Sequence, residues 1–341
     1  AFEAMPGMWE VSVNNGSAGA NGGQLVMSYD TTASAARGKS EITTDSFELD
    51  NDILCISFSE STDVLNAGAM RKIILTDDDD WGSNDIELLS IENEKPVVLK
   101  TDISQSVQQE TRKWEYYMNF ADKNNVQAYV RLNGEKVYDG VIGSTGINTK
   151  MLRFWLRNNT VGQRKLSASW SFDFIKAYGE GALSVTANVA EGEAVQYGSL
   201  NALTVEYKGI LTDVLNKDSF SLTKNGSSVL CTAEVEGQKV TVAPDSGLEP
   251  GNYTLALQKV NDIFGNQSDI GKITFSVVSP DYKLPEITLT AGGSTDIKEG
   301  GNVVMTAAAA TDYFERAEFS VNGTVEYAAY SKESIFELRR I

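Results

Sequence analysis

Three carboxylates recur at every second position in the stretch FELDNDIL, as Glu48, Asp50 and Asp52. If this stretch is a strand, alternate side chains leave from one face, so all three point to the same side. Two carboxyl groups about 5–5.5 Å apart are the pair used by a retaining glycoside hydrolase, one as nucleophile and one as acid and base. The last position is Asp, one methylene shorter than Glu, and the stretch fits a loop equally well. These residues are therefore candidate catalytic groups, with solvated carboxylates of an acidic chain as the alternative.

The composition excludes several classes of function. The 341 residues include no histidine, 47 acidic residues and 29 basic residues, for a net charge of −18. Without histidine, Ser-His-Asp and Cys-His catalysis and His-ligated metal sites are excluded. The negative charge repels nucleic-acid phosphates and anionic lipids, so neither is an expected partner. No apolar run reaches about 18 residues, so we expect no insertion into a membrane.

The two cysteines lie far apart in apolar sequence. Cys55 is in ILCISF and Cys231 is in SSVLCTAEV. We therefore predict that both cysteines are small buried hydrophobic residues and do not form a disulfide. This fits an exported bacterial protein better than a disulfide-rich animal one.

Alternation of apolar and polar residues with a period of two dominates the first 178 residues. About ten short strands separated by turn residues predict a β-sandwich or barrel. No convincing amphipathic helix longer than about ten residues follows the 3.6-residue period. The hairpin at residues 114–140 is the clearest example, since Trp114, Tyr116, Met118 and Phe120 share one face of its first strand and must belong to the core.

The other faces of three strands combine aromatic rings with arginines. If these strands are neighbours, they form an aromatic and cationic surface on one sheet. Rings stack on the CH faces of sugars, and arginine donates to hydroxyls or uronate carboxylates. The alternative is a second layer of packing in which arginine stems cover the rings. The candidate ligand-binding residues are Tyr117, Tyr129, Arg131, Arg153, Trp155 and Arg157.

An acidic run, TDDDDWGSND, provides candidate ligands for calcium. Calcium takes six to eight oxygen ligands, often from loops. The run lacks the spaced order of an EF-hand, and consecutive Asp side chains cannot all converge on one ion, so a solvated turn is the alternative. Calcium is the one cofactor that the sequence suggests, and the candidate ligands are Asp77, Asp78, Asp80 and Asp85.

Changes in composition divide the chain into three predicted domains. The stretch GEGAL at 179–183 ends the first domain, and SPDYKLPE at 279–286 has the prolines of a linker. About seven strands in 180–279 predict an immunoglobulin-like sandwich. The last unit is short for an autonomous sandwich, so we predict that it is incomplete. The predicted domains are 1–179, 180–279 and 284–341.

The first domain resembles concanavalin A-like and laminin-G-like jelly rolls. The resemblance lies in KWEYYMNFADKNNVQAYVRLNGEKVYDG, MLRFWLRNN and SASWSFDFIKAYGEG. Bacterial members have a Trp-led strand, a hairpin of the form DGE-K and a closing strand. Here the hairpin is NGEK at 133–136, and the closing strand carries Asp173, Ile175 and Tyr178. Retaining glucanases of this fold use an E-x-D-x-E strand, and laminin-G-like members often bind calcium, so the resemblance implies both as expectations.

The second domain resembles bacterial immunoglobulin-like domains of the S-layer type. The matching segments are FSLTKNG at 220–226, LEPGNYTL at 248–255 and VNDIFGN at 260–266. The third unit resembles another immunoglobulin-like repeat. Such families imply an exported modular protein, in which these modules are accessory parts of a cell-surface protein or a carbohydrate-active enzyme.

We predict a non-catalytic, extracellular or cell-surface bacterial protein. Its jelly roll binds a polysaccharide or a cell-surface protein, and the immunoglobulin-like units act as spacers. One alternative is a structural surface-layer, fibre or adhesin subunit that assembles through strand edges. Another is a glycoside hydrolase or polysaccharide lyase, or an accessory region of one.

Overall fold

Strands provide nearly all of the regular structure. The computed structural model describes residues 9–62, 68–77, 84–92, 95–103 and 111–279, together with five strands between 287 and 339. Within these ranges the only helical element is one 3-10 turn, so the all-β prediction is confirmed. No helix in the described ranges is long and apolar enough to cross a membrane.

The first fourteen strands form two seven-stranded antiparallel sheets. Sheet I has the order β1-β4-β13-β6-β7-β8-β9, and sheet II has the order β12-β11-β10-β5-β14-β3-β2. The strands are β1 (Glu10–Asn14), β2 (Gly16–Asn21), β3 (Gln24–Asp30), β4 (Lys39–Thr43), β5 (Ile53–Thr62), β6 (Ala69–Thr76), β7 (Ile86–Glu92), β8 (Lys95–Val98), β9 (Thr101–Asp102), β10 (Arg112–Asn119), β11 (Val126–Leu132), β12 (Glu135–Gly143), β13 (Arg153–Thr160) and β14 (Ser167–Glu180).

A single apolar core joins the two sheets into a sandwich, as the predicted jelly roll requires. Met118 on β10 and Leu156 on β13, from opposite sheets, are both fully buried in this core. The residues predicted from alternation to be core, Trp114 and Tyr116 among them, are likewise completely buried. Packing of apolar faces from two sheets is the main stabilising term of such a fold.

The next nine strands form a second sandwich with a core of its own. Its sheets have the orders β15-β17-β21-β20 and β16-β23-β22-β18-β19, and β16 pairs with β23 in parallel. Buried residues from Val185 to Val277 make up the core. The elements are β15 (Ser184–Ala187), β16 (Glu193–Gln196), β17 (Leu203–Lys208), the 3-10 turn (Lys217–Ser219), β18 (Ser221–Lys224), β19 (Ser227–Val229), β20 (Cys231–Glu236), β21 (Lys239–Pro244), β22 (Gly251–Ala256) and β23 (Lys272–Val278).

Five more strands follow. They form the sheet β24-β25-β28 and the hairpin β26-β27. The sandwich architecture is confirmed, whereas the three domain boundaries, membership of the immunoglobulin-like families and the incompleteness of the third unit stay predictions. The strands are β24 (Ile287–Gly292), β25 (Asn302–Ala309), β26 (Ala317–Val321), β27 (Thr324–Ala329) and β28 (Glu333–Arg339).

A buried ion pair links three adjacent strands of sheet II. The carboxylate of Glu60 on β5 accepts hydrogen bonds from Arg112 Nε at 2.6 Å and Arg112 Nη2 at 2.7 Å. It also accepts bonds from the indole nitrogens of Trp114 on β10, at 3.0 Å, and Trp170 on β14, at 2.8 Å. All four residues are almost completely buried. Burying a charge is costly unless it is paired and hydrogen-bonded, and here both carboxylate oxygens are satisfied.

A β-bulge changes which side chains of β14 face outward. The pairing of β14 with β5 shifts register between Phe172 and Phe174. Before the bulge, Trp170 and Phe172 face the core, whereas after it Ile175 and Ala177 do. An extra residue in one strand reverses the faces of everything that follows, so the bulge turns the next alternate positions outward.

Substitution of Glu60 tests the stabilising role of this ion pair. Glu60→Gln removes the carboxylate charge that the buried Arg112 guanidinium pairs with, so we expect a loss of about 3–5 kcal/mol in the free energy of unfolding. Denaturant unfolding of the purified variant measures it. The control is Lys136→Ala, which breaks an exposed pair with Asp139 and should cost less than about 1 kcal/mol. Equal effects of the two substitutions would show that the buried pair contributes little.

Buried tyrosines predict a loss of stability in alkaline solution. Burial raises the pKa of Tyr207 to about 12, and burial, opposed by the charge of Arg71, raises that of Tyr29 to about 12. The folded chain therefore holds these protons after the unfolded chain loses them near pH 10. The contribution of the two tyrosines to the free energy of unfolding is therefore complete below about pH 10 and is lost as the pH rises to about 12. Denaturant unfolding at several pH values measures the decline, and Tyr207→Phe should make it smaller; an unchanged slope in that variant contradicts the assignment.

Candidate functional site

Side chains from four neighbouring strands line up across the outer face of sheet II. Tyr117 on β10 lies opposite Tyr129 on β11 and opposite Cys55 on β5, and Tyr178 on β14 also lies opposite Cys55. We refer to Tyr129, Tyr117, Cys55 and Tyr178 as the tyrosine row. Strands lie about 4.8 Å apart, so the row extends roughly 14 Å across the sheet. The ring centroids of Tyr117 and Tyr129 are 6.4 Å apart.

The tyrosine row combines exposed rings with a buried thiol. Tyr178 is 43% exposed, Tyr117 and Tyr129 are half-buried, and Cys55 is buried. Burial and the nearby thiol raise the pKa of Tyr178 to about 12, and burial and Glu180 raise that of Cys55 to about 12. These groups are therefore neutral at physiological pH. The row presents flat, uncharged rings with polar hydroxyls, which suits stacking on sugars.

Cations flank the tyrosine row. The guanidinium carbon of Arg131 lies 5.5 Å from the centre of the Tyr129 ring, and Lys176 Nζ lies 4.9 Å from the centre of the Tyr178 ring. In the strand register, Arg131 on β11 lies opposite Glu115 on β10, and Glu115 lies opposite Ser57 on β5. Ser57 in turn lies opposite Lys176 on β14. The two cations therefore share a second cross-strand row, one step along the strands from the tyrosine row.

A groove lies beside the end of the tyrosine row that Tyr178 occupies. In the described part of the chain, β3 pairs with β14 only through residues 167–172, which leaves the later residues of β14 paired on one side, with β5. The groove has a volume of about 460 Å³. Its lining includes the rings of Trp9, Phe47 and Tyr178 and the carboxylates of Glu48 and Asp50. Its lining also includes Leu54, Ile175 and Ala177, which face the inside of the sandwich, so the groove opens at the free edge of β14 on the side opposite the tyrosine row.

The three candidate catalytic carboxylates lie on a loop between β4 and β5, so the strand arrangement considered from the sequence is not formed. All three are exposed, and Asp52 is not among the groove-lining residues. Glu48 forms an ion pair with Lys150, and the hydrogen bond from Glu48, with the charge of Asp50, raises the pKa of Lys150. Glu48 is thus engaged as an anion with a charged partner. The catalytic assignment of the three residues stays a prediction.

The prediction that the six aromatic and cationic residues share one sheet face is wrong. Arg153, Trp155 and Arg157 lie on β13 in sheet I, whereas Tyr117, Tyr129 and Arg131 lie on sheet II. Alternation places a side chain on the outer face of its own sheet but does not tell which of two sheets its strand joins. The six residues therefore form two separate patches, and the three on β13 do not extend the tyrosine row.

The β13 patch is covered by its own contacts. The guanidinium carbon of Arg157 lies 4.6 Å from the centre of the Trp155 ring, and Arg157 Nε donates to Glu41 at 2.8 Å. Burial opposes ionisation of Glu41, but hydrogen bonds from Asn159, Lys39 and Arg157 together lower its pKa. This arrangement corresponds to the alternative considered from the sequence, in which arginine stems pack over rings.

The predicted calcium ligands are only partly described. Asp77 accepts a hydrogen bond from the backbone nitrogen of Asn148, and Asp85 lies just before β7. Asp78 and Asp80 lie outside the described residues. Among those that are described, no group of three acidic, cysteine or histidine side chains is placed to hold a metal. Calcium binding stays a prediction.

Comparisons with known proteins assign neither a family nor a function. No family model matches the sequence, and no curated protein matches it. Among solved structures, a mixed-linkage glucan GH16 protein of Bacteroides ovatus is 13% identical with a TM-score of 0.39, covering 52% of this chain and 97% of its own. The pseudo β-1,3-glucanase Rv0315 of Mycobacterium tuberculosis is 13% identical with a TM-score of 0.39, covering 51% and 92%. The Emp47p carbohydrate recognition domain is 11% identical with a TM-score of 0.36, covering 51% and 89%. At such scores the likenesses support no functional inference.

Two members of the site were missed by reasoning from the sequence. Strict alternation along β14 from Trp170 and Phe172 places Lys176 and Tyr178 on the core side. The bulge after Phe172 turns both outward instead. The signal that could have revealed it is the polar residue Asp173 followed by two apolar residues, Phe174 and Ile175, which interrupts the alternation.

The two cysteines provide a test of how the tyrosine row is packed. Since burial raises the pKa of Cys55 to about 12, its thiol should react with a disulfide reagent far more slowly than that of Cys231, which is half-buried. Thiol titration of the folded protein should show one fast and one slow group. The variant Cys55→Ser should lose only the slow phase. Equal rates for the two thiols in the folded wild-type protein contradict this packing.

Proposed function

We propose that this protein is a non-catalytic polysaccharide-binding module and that the sugar chain lies along the tyrosine row. The supporting observation is that Tyr129, Tyr117 and Tyr178 come from separate strands and align across one outer face. Aromatic side chains supply large apolar contact area and a polar tip at a small entropy cost, which suits the mixed surface of a sugar. A rigid sheet holds the rings in place before binding, so little ordering is needed.

The groove beside Tyr178 supplies the polar part of the proposed site. Asp50 and Glu48 can accept hydrogen bonds from sugar hydroxyls, and Trp9 and Phe47 add apolar surface. Binding sites of this kind combine apolar and aromatic walls with a few polar groups that set orientation. The polysaccharide is therefore proposed to lie along the row on the outer face, and it meets the groove only at the edge beside Tyr178.

We place the protein outside the cell or on the bacterial surface, with the second sandwich acting as a spacer. The resemblance of 220–226, 248–255 and 260–266 to bacterial immunoglobulin-like domains supports this proposal. The excess of acidic residues supports solubility in that setting. A cell-surface protein partner and self-assembly through strand edges stay predictions.

A glycan-cleaving enzyme is the second candidate, favoured by the carboxylates at the groove. Glu48 and Asp50 both line it, and paired carboxylates are the groups that glycoside hydrolysis needs. The ion pair between Glu48 and Lys150 argues for binding instead, because a carboxylate engaged in this way is poorly suited to donate a proton. Release of reducing ends that disappears in Glu48→Gln would favour the enzyme.

Substitutions on the two outer faces test the proposed binding site. We expect Tyr117→Ala and Tyr178→Ala each to weaken polysaccharide binding about five- to tenfold, since each loses a stacking ring worth roughly 1–1.4 kcal/mol. Tyr178→Phe keeps the ring and should bind nearly as well as wild type. A glycan array identifies a ligand, and affinity electrophoresis in that polysaccharide measures the change.

The matched control is Trp155→Ala, which removes a ring from the outer face of sheet I. Because β13 belongs to the other sheet, this substitution should leave binding unchanged. Loss of binding in Trp155→Ala, with normal binding in the two tyrosine variants, would move the site to sheet I and overturn the proposal.

A further inference from the structure

Two cations beside the tyrosine row differ from their neighbours in how they are paired. Lys113 Nζ lies 2.8 Å from Glu115, and Lys136 Nζ lies 3.1 Å from Asp139. Throughout the described part of the chain, by contrast, Arg131 and Lys176 form no ion pair and instead lie near tyrosine rings. In the described part of the chain, neither side chain therefore has a carboxylate oxygen within 4.0 Å, although Glu115 lies opposite Arg131 on the neighbouring strand.

The positions of these two cations match the ends of the tyrosine row. Arg131 is on β11 with Tyr129, and Lys176 is on β14 with Tyr178. Three strand spacings of about 4.8 Å separate β11 from β14, so the backbones at the two positions lie roughly 14 Å apart. A chain molecule lying along the row would pass both cations, one near each end.

The local charge also contrasts with that of the whole protein. Acidic residues outnumber basic ones by 47 to 29 over the sequence, so an ordinary patch of this surface is expected to be acidic. On the outer face around the tyrosine row, by contrast, basic and acidic side chains are equal in number, four of each. The basic residues are Lys113, Arg131, Lys136 and Lys176, and the acidic ones are Glu115, Asp139, Asp173 and Glu180. The groove beside Tyr178 adds Asp50 and Glu48, and Glu48 is paired with Lys150.

We infer that the polysaccharide bound along the tyrosine row is anionic, and that Arg131 and Lys176 receive its negative groups. This inference rests on the proposed function and adds the chemical class of the ligand. The fork of the Arg131 guanidinium suits the two oxygens of a carboxylate or sulfate, and Lys176 supplies a point charge. Tyrosine rings between them contact the sugar rings that link successive anionic groups.

Long-range repulsion from the net charge does not prevent such binding. In physiological salt, charges more than about 8 Å apart are largely screened, whereas direct contacts persist. The ligand is therefore recognised by the two local contacts rather than by the overall field of the protein. Binding should weaken as salt is raised further, because the contacts themselves are electrostatic.

Binding to three polymers tests the inference. Polygalacturonate supplies carboxylates, dextran sulfate supplies sulfates, and a mixed-linkage β-glucan is neutral. We expect the wild-type protein to bind one or both anionic polymers at least about tenfold more tightly than the neutral one. Which of the two it binds distinguishes a uronate ligand from a sulfated one, and either result supports the inference.

Charge-removing variants show whether the two named residues are responsible. Arg131→Gln and Lys176→Gln should each weaken binding to the anionic polymer about tenfold, and the double variant more, with little change for the neutral polymer. Lys239→Gln makes the same change in net charge on the second sandwich and should bind as wild type. Circular dichroism checks that the variants are folded.

The outcomes separate this inference from the function on which it rests. Equal affinity for the neutral and anionic polymers overturns the inference and leaves polysaccharide binding in place. A preference for an anionic polymer that survives in the double variant also overturns it, because the contacts then lie elsewhere. No binding to any of the polymers, or to a glycan array, overturns both.

Discussion

The Glu60 carboxylate is the contact on which the arrangement of sheet II depends. It accepts from Arg112 and Trp114 on β10 and from Trp170 on β14, while itself belonging to β5. A buried carboxylate with these donors cannot shift its partners by one residue without leaving charges or indole nitrogens unsatisfied. The network therefore sets the register of the same three strands that carry Tyr117, Cys55 and Tyr178 on their opposite face. A slip of one residue would turn the tyrosines into the core.

The two outer faces of the jelly roll use similar residues in different ways. On sheet I the Trp155 ring is covered by Arg157, and Glu41 neutralises that arginine. On sheet II the rings of Tyr117 and Tyr178 flank a small buried thiol, and Arg131 lies over the Tyr129 ring and forms no ion pair in the described chain. Aromatic and cationic composition alone does not make a binding surface, because what matters is whether the protein already satisfies those groups.

Alternation in the sequence was enough to predict the all-β fold and which residues of β10 are buried. Trp114 and Tyr116 are completely buried and Tyr117 points outward, as the period of two requires. The neighbours of each strand depend on contacts between distant residues, so the assignment of Trp155 to the same face as Tyr117 was wrong. Tyr178 was missed because one inserted residue reverses the faces of β14. The buried pair of Glu60 and Arg112 was not predictable, since charged residues are mostly exposed.

Side-chain footprinting with hydroxyl radicals, in the presence and absence of a bound oligosaccharide, tests the central claim most directly. Binding along the tyrosine row predicts that Tyr117, Tyr129 and Tyr178 become protected together while Trp155 reacts at the same rate as before. Protection at Trp155, or at neither face of the jelly roll while the ligand is bound, would contradict the account.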